Sequence, residues 1–297
     1  MERYDLAIIG AGPGGYVAAE RAGHRGLKTV IIEKSHLGGV CLNEGCIPSK
    51  ALLKSAKLFH ELEEAAVYGV KAETLSFDLT AAMKRKTKII ETLRKGVAYQ
   101  MRQNHVDVVE GHGRLTGQHE ITVGDRVIGA EHIIIATGSS PIRPPIPGAD
   151  QAHVLTSSEL FQIEKLPENL VIVGGGVIGM EFACFFSSVG VNVTVIEMLD
   201  EVLPPFDAEL AQGLRKALKK VKFILGARVE NITGTTVEYR TKDADALESV
   251  PADMVLLSVG RKPNSADLGL EQVGIAVERG AIVVDERLQT NVPGIYA

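Results

Sequence analysis

Tyr4-Asp5-Leu6-Ala7-Ile8-Ile9-Gly10-Ala11-Gly12-Pro13-Gly14-Gly15 decides how this chain is read. The run Leu6 to Ile9 is apolar throughout rather than alternating, which suits a strand buried on both faces of a parallel sheet. Glycines 10, 12 and 15 follow in the G-x-G-x-x-G spacing. Gly10 permits a tight turn, Gly12 lets backbone approach a pyrophosphate, and Gly15 lets a helix pack close to its strand. A helix expected from Tyr16 to about Arg25 offers free N–H groups and the positive end of its dipole to phosphates. Thr29 to Glu33 then reads as a second strand ending in an acid, and Glu33 is placed to accept hydrogen bonds from an adenosine ribose.

The pattern restarts further on. Asn169 to Val173 is a strand, Gly174, Gly176 and Gly179 repeat the glycine spacing, Met180 to Ser188 is helical, and Val193 to Ile196 leads into Glu197. Gly10 to Glu33 and Gly174 to Glu197 are both intervals of 23 residues. This is an internal repeat of a mononucleotide-binding unit, so one chain is expected to carry two dinucleotides. The acid at Glu197, followed by Met198, Leu199 and Asp200 with no Arg or Lys, disfavours a 2′-phosphate and points to NAD at the second site.

Between the repeats lies Gly38-Gly39-Val40-Cys41-Leu42-Asn43-Glu44-Gly45-Cys46-Ile47-Pro48-Ser49-Lys50. On one ideal helix Cys41 and Cys46 would differ by about 140° in direction and about 7.5 Å in rise. That geometry does not suit a relaxed bridge. The segment is therefore expected to break around Gly45, or to place Cys41 in a preceding turn. Glu44 is expected to face solvent, because an inward charge would raise a thiol pKa. A reversible dithiol, two structural thiols and a metal site are all readings of such a pair. The first fits best, since the chain has no second Cys pair and no matching His cluster for zinc. Cys184, beside Phe182, Phe185 and Phe186, reads as an inert core thiol. Two dinucleotides with a dithiol suggest an electron relay, and a flavin is the group that connects nicotinamide to thiol chemistry, so FAD is expected at the first site and NAD at the second.

Helices are expected over Ile47 to Ala66 and Phe77 to Asn104, with Pro48 in a first turn where its missing N–H costs little. Val106 to Val109 and Glu120 to Val123 read as strands of a small antiparallel excursion. His132 to Pro141 is another buried strand ending in a glycine turn, with Thr137 and Gly138 within it. Four prolines between Pro141 and Pro147 mark a rigid crossover. Leu210 to Lys220 is helical. Val221 to Leu225, Arg228 to Ile232 and Thr236 to Tyr239 suggest a β meander, and Ala252 to Asn264 closes the second unit with a strand and a glycine turn at Gly260. The fold class is α/β with two Rossmann-like dinucleotide-binding domains of the three-layer β/β/α type. The expected divisions are 1–147 for FAD and the cysteine pair, 148–275 for NAD, and 276–297 as a segment returning to the first domain.

With 297 residues, 45% apolar content and a formal charge of −5, the chain is large enough for two cores and shows no nucleic-acid surface. The basic run Lys84 to Lys88 reads as a solvated helix face. No 18-residue apolar run is present, and the N-terminus lacks signal-peptide or transit-peptide character. A cytoplasmic location, or a processed organellar form, is expected.

At this point the chain resembles the pyridine nucleotide–disulfide oxidoreductases, through Gly38 to Lys50, Ala136-Thr137-Gly138, Gly174 to Glu181, Gly260-Arg261-Lys262-Pro263-Asn264 and Thr290 to Ala297. Ser49 brings it nearer the lipoamide dehydrogenase branch than the glutathione reductases. The resemblance implies oxidation of a protein-bound dihydrolipoyl group with NAD+ as acceptor, through FAD and a Cys41–Cys46 disulfide. It makes Cys46 the flavin-facing sulfur and Cys41 the interchange sulfur, and pairs Lys50 with Glu181 near the flavin and nicotinamide. Its implied partners are a lipoyl domain or lipoyl carrier protein of a 2-oxoacid dehydrogenase or glycine cleavage complex, and a second copy in a homodimer. It also implies a further domain after Ala297 that forms the dimer interface and supplies a His-Glu acid/base pair. Without it, NAD-linked diaphorase activity is expected in place of lipoamide turnover. The rival readings are a mercuric- or glutathione-type reductase, which Glu197 disfavours, and a non-catalytic flavoprotein module.

Overall fold

The computed structural model describes residues 2–72, 74–242, 244 and 246–297. Two compact units result, neither a continuous stretch of chain. One comprises Met1–Ile47, Lys88–Ser140 and Lys262–Ala297, the other Pro48–Thr87 and Pro141–Arg261. Both are α/β.

In the first unit, β1 (Glu2–Ile9) leads through the glycine loop into α1 (Pro13–His24) and β2 (Thr29–Glu33). The chain continues through α2 (Gly39–Glu44), α3 (Cys46–Glu63) and α4 (Leu79–Gln103) into β3 (Val106–Glu110), then β4 (Gly113–Gly117), β5 (Glu120–Val123), β6 (Arg126–Ile135) and β7 (Ser139–Pro141). β1 pairs in parallel with β2 on one side and β6 on the other, and β2 pairs in parallel with β3. β6 is ten residues long and has two neighbours on its far side. Its start takes β5 antiparallel, with β4 beyond, and its end takes β19 (Ile295–Tyr296) in parallel. Ala7, Ile9, Val30, Ile32, Leu115, Ile121, Ile133 and Ile295 fill the core on one face, and Ile8, Ile31, Ala19 and Met101 fill the other.

The expected antiparallel excursion needs correcting at one strand. Val106–Glu110 is a parallel edge strand of the central sheet, because a helical crossover brings the chain back in the direction it left. Only Glu120–Val123 belongs to the antiparallel part, with Gly113–Gly117 as an additional strand.

The second unit repeats the plan. β8 (Val154–Thr156) and the short helix α5 (Ser157–Leu160) precede β9 (Asn169–Val173), α6 (Val177–Ser188), β10 (Asn192–Ile196), α7 (Ala208–Ala217) and β11 (Val221–Ile224). An antiparallel ribbon of β12 (Ala227–Ile232), β13 (Thr236–Thr241) and β14 (Glu248–Pro251) follows, then β15 (Met254–Leu257) and β16 (Arg261–Pro263). The parallel sheet runs β11-β10-β9-β15-β8. Val221–Ile224, expected in the meander, instead pairs in parallel with β10, since α7 serves as its crossover. Leu52, Ala56, Leu79 and Ala82 from α3 and α4 pack with Phe182, Phe185 and Phe186 in this unit, which is why residues 48–87 belong to it. The rest of the chain forms the small hairpin β17 (Val277–Glu278) and β18 (Ala281–Ile282) and ends in β19.

Neighbouring glycines in α1 carry opposite demands. A Cβ on Gly15 would lie 1.8 Å from the Gly10 carbonyl oxygen, whereas one on Gly14 would meet nothing nearer than the Ala136 methyl at 4.0 Å. Gly15→Ala is therefore expected to cost about 3 kcal/mol or more, because backbone must move. Gly14→Ala should stabilise by about 0.5–1 kcal/mol through helix propensity. Urea unfolding of the two variants checks both signs.

Candidate functional site

Both glycine loops are built by the same hydrogen bonds. Gly10 N–H donates to Ile32 O at 2.8 Å, and Gly174 N–H to Ile196 O at 2.9 Å. Gly10 and Gly174 hold φ of 104° and 103°, with the backbone of Ala136 and of Ser258, each just past the end of a strand, where a Cβ would stand. The acids act on the loops directly. Glu33 Oε2 accepts the Ala11 N–H at 2.7 Å, and Oε1 accepts the Ser35 N–H at 2.8 Å. Glu197 does the same with Gly175 at 2.6 Å and Leu199 at 2.8 Å. Each oxygen keeps a second lone pair for another donor. The acids thus shape the phosphate loop before any ribose is considered, a role that motif spacing alone does not reveal.

The residues fit a pyrophosphate at both loops. Gly12 and Gly176 are the N-caps of α1 and α6, with no side-chain cap and no acid in the first turn, so the first turn itself brings no competing carboxylate to the N–H groups. A Cβ at Gly176 would meet nothing within 4 Å. In the first unit a small cleft of about 70 Å³ opens over the carboxyl ends of the strands, where ligands bind in such sheets. Gly10, Glu33, Lys34, His112, Thr137 and Asn264 are among its lining residues. Lys34 and His112 carry no part in any motif, and Asn264, which ends the Gly260–Asn264 stretch, takes no role from it. Asn264 closes one wall: its N–H donates to Gly138 O at 2.9 Å, its amide to Thr137 O at 3.0 Å, and its own carbonyl accepts the Thr137 hydroxyl at 2.7 Å. Gly260, at φ 121°, ends the matching strand of the second unit, and its carbonyl accepts the Ile142 N–H.

Over the second loop, the backbone between Leu199 and Phe206 forms a brace. Leu203, at φ 53°, donates its N–H to Gly175 O at 2.9 Å. The Val202 side chain occupies the space a Cβ on Gly175 would need, 2.8 Å away. Arg215 grips Glu201 with Nε and Nη2 at 2.9 and 3.0 Å, and this fork holds the Glu201 carboxyl below its usual range. Asp200 pairs with Lys242.

The cysteine motif is seated on the first loop. Gly38 N–H donates to Ala11 O at 2.8 Å, and the Gly39 backbone lies against Gly12, where a Cβ on Gly39 would be 2.4 Å from the Gly12 Cα. Cys41 lies within α2 and is half-buried. Cys46 opens α3 and is exposed. The helical path breaks between them at Gly45, whose backbone approaches so closely that a Cβ would stand 3.0 Å from Val40 O and 3.3 Å from the Cys41 Cα. Glu44 is exposed, Pro48 lies in the first turn of α3, and Asn43, which the spacing argument left without a role, holds the α2 turn through the Leu37 and Gly39 carbonyls.

In the second unit the Lys50 ammonium donates to Glu181 Oε1 across 131 residues of sequence. Lys50 is exposed and Glu181 partly covered. One turn beyond Glu181, Cys184 is half-buried, and burial first, then the nearby Glu181 charge, push its thiol up. Among the described residues no cluster of three or more His, Cys, Asp or Glu side chains is placed to hold a metal, and no helix is long and apolar enough to cross a membrane.

This geometry agrees with what comparison with known proteins finds. Residues 4–297 match the family described as pyridine nucleotide-disulphide oxidoreductase. The chain belongs to that family. Among related proteins, the dihydrolipoyl dehydrogenase of Acholeplasma laidlawii is 41% identical over all of this chain and 89% of its own length. That of Bacillus subtilis is 40% identical over 99% of this chain and 66% of its own. Among solved structures, the Cu(II) complex of an HOCl-induced flavoprotein disulfide reductase from Escherichia coli superposes with a TM-score of 0.86 at 33% identity, over 100% of this chain and 65% of that one. The chain thus spans about two thirds of the length of most of these pyridine nucleotide-disulphide oxidoreductases, and by family it is an oxidoreductase.

Two measurements follow from the groups above. Glu201→Gln should cost roughly 0.5–1 kcal/mol at neutral pH, the scale of a partly exposed bidentate pair. Because the folded carboxyl titrates below its unfolded value, this difference is full above the ordinary Glu range and vanishes as pH falls through the depressed pKa. Urea unfolding at neutral and acid pH tests it. In the reduced chain at mildly alkaline pH, Cys184 should carboxymethylate at least about tenfold more slowly than Cys46, since the thiolate is the nucleophile and Cys184 is half-buried with its thiol pushed up by burial, whereas Cys46 is exposed. Peptide mass mapping reads the two rates.

Proposed function

We propose that the chain is the two-nucleotide part of a dihydrolipoyl dehydrogenase, with FAD on the Gly10–Gly15 loop and NAD on the Gly174–Gly179 loop. The observation that carries this reading is the seating of Gly38 and Gly39 on Ala11 and Gly12, which joins the cysteine pair to a phosphate loop. The related dihydrolipoyl dehydrogenases, at 39–41% identity in the first three, support the substrate class.

In this reading Cys41 and Cys46 cycle between disulfide and dithiol. A thiolate of a dihydrolipoyl group attacks Cys41, the Cys41–Cys46 bond breaks, and Cys46 leaves as thiolate. The second substrate thiol then displaces Cys41, giving cyclic lipoyl disulfide and the protein dithiol with two electrons and two protons conserved. FAD, when bound, supplies the two-electron chemistry that connects such a dithiol with NAD+. Glu33, Thr137, Gly138 and Lys34 hold the adenosine side of the first site, and the α1 N-terminus its pyrophosphate. Glu197 takes the ribose diol at the second site, with Gly260 at its far wall. Lys50, oriented by its pair with Glu181, is the cation that the family resemblance assigns to the flavin and nicotinamide. Partners on this reading are a lipoyl domain or lipoyl carrier protein and a second copy of the chain.

Flavin-loaded protein titrated with two electrons per flavin is expected to develop a long-wavelength absorbance band that Cys46→Ser abolishes and Cys41→Ser retains. A band that survives Cys46→Ser removes the assignment of the sulfurs. NADH should be used at least about a hundredfold better than NADPH, because a 2′-phosphate would face Glu197.

A further inference from the structure

α2 is six residues long, with a glycine N-cap, no side-chain cap and no basic residue in its last turn. A helix this short does not hold itself. It carries Cys41, so whatever pins it sets where that sulfur stands relative to Cys46. Part of the answer is apolar: Leu42 packs with Ile90 and Val97 of α4, and with Leu37 and Ile47. Residues 90, 94 and 97 share one face of a helix. The middle position of that stripe is an arginine. Arg94 is half-buried, and Nε and Nη2 both reach Asn43 Oδ1, at 3.1 and 2.7 Å. Asn43 Nδ2 in turn donates to Leu37 O at 3.1 Å and Gly39 O at 2.8 Å. All four hydrogen-bonding positions of the amide are then used. The guanidinium also decides which way the amide faces: with Oδ1 held by two donors, the NH₂ group must point at the turn that starts α2.

From this we propose that Arg94 is the positioning residue of the cysteine pair. Through Asn43 it fixes the turn at Gly38–Gly39 and thereby α2 and Cys41, and this raises the effective concentration of the Cys41 and Cys46 thiols toward each other. The inference rests on the redox reading of the pair and adds to it a residue on a different helix, about 50 positions away in sequence.

The test is an equilibrium, not an activity. The reduced chain is incubated in glutathione buffers of defined ratio. Two protein thiols and one glutathione disulfide give one Cys41–Cys46 disulfide and two glutathione thiols, and the species are counted by acid quench, alkylation and mass. Arg94→Met keeps the apolar stem and removes the fork. It is expected to lower the constant for disulfide formation by at least about threefold, since a loosened α2 dilutes Cys41 about Cys46. Arg94→Lys, with one donor group in place of the fork, should fall between Arg94→Met and wild type. A constant for Arg94→Met within threefold of wild type, whatever its melting temperature, overturns the proposal, because a merely structural arginine would lower stability and leave the equilibrium alone. If Arg94→Met does not fold, Arg94→Lys decides: a constant below wild type supports the proposal, and one indistinguishable from wild type overturns it. Failure of the wild-type chain to form the intramolecular disulfide in any buffer would instead remove the redox reading itself, and the proposal with it.

Discussion

A carboxylate bonded to the backbone of the neighbouring loop is the constraint on which both halves of this molecule depend. In each, the acid at the end of the second strand takes the N–H that follows the first glycine and the N–H two residues beyond itself. A glycine turn with φ near +100° has few intrinsic reasons to stay in place, since glycine loses more conformational freedom on folding than other residues. Charge-assisted hydrogen bonds at 2.6 to 2.8 Å offset part of that cost. The first turn of the following helix then has to sit with its third glycine against the first glycine's carbonyl. Strand, loop, helix and second strand are locked as one piece.

On that piece the first unit seats its cysteines. The contact between Gly39 and Gly12 is backbone on backbone, which is why the motif begins with two glycines, at φ 95° and 58°. Gly45 serves a separate purpose, letting the chain pass close to the Cys41 backbone so that one helix ends and another begins between the sulfurs. The two cysteines thus stand on different helices although only four residues separate them. Asn43 and Arg94 oppose the looseness that so many glycines would otherwise bring.

What the sequence made legible was local. The repeated interval from glycine to acid, the continuous apolar strands and the positions of Gly45 and Pro48 all follow from backbone geometry that a few residues determine. The direction of Val106–Glu110 and of Val221–Ile224 was not legible, because a strand of four or five residues looks the same in a parallel edge and in a meander. The crossover helix before it decides, and that is tertiary information. Asn264, His112 and Lys34 belong to the cleft only because the sheet brings distant loops together. Asn43 and Arg94 escaped a motif reading for a similar reason: an arginine inside an otherwise apolar helical stripe looks like a solvated charge until the helix opposite is in view.

The long strand β6 bears on the order in which the chain acquires its structure. β1 lies at the start of the chain yet finds its second parallel neighbour only at Ile128 to Ile135, and β6 itself receives Ile295 at Ile133. The parallel sheet of the second unit needs nothing beyond Leu257. On a ribosome, therefore, the unit encoded in the middle can finish its sheet while the one begun first still has an unpaired edge along the last residues of β6. Such open edges invite pairing with other chains. The glycine loop and its acid, complete by residue 35, are the parts of the first unit that need not wait.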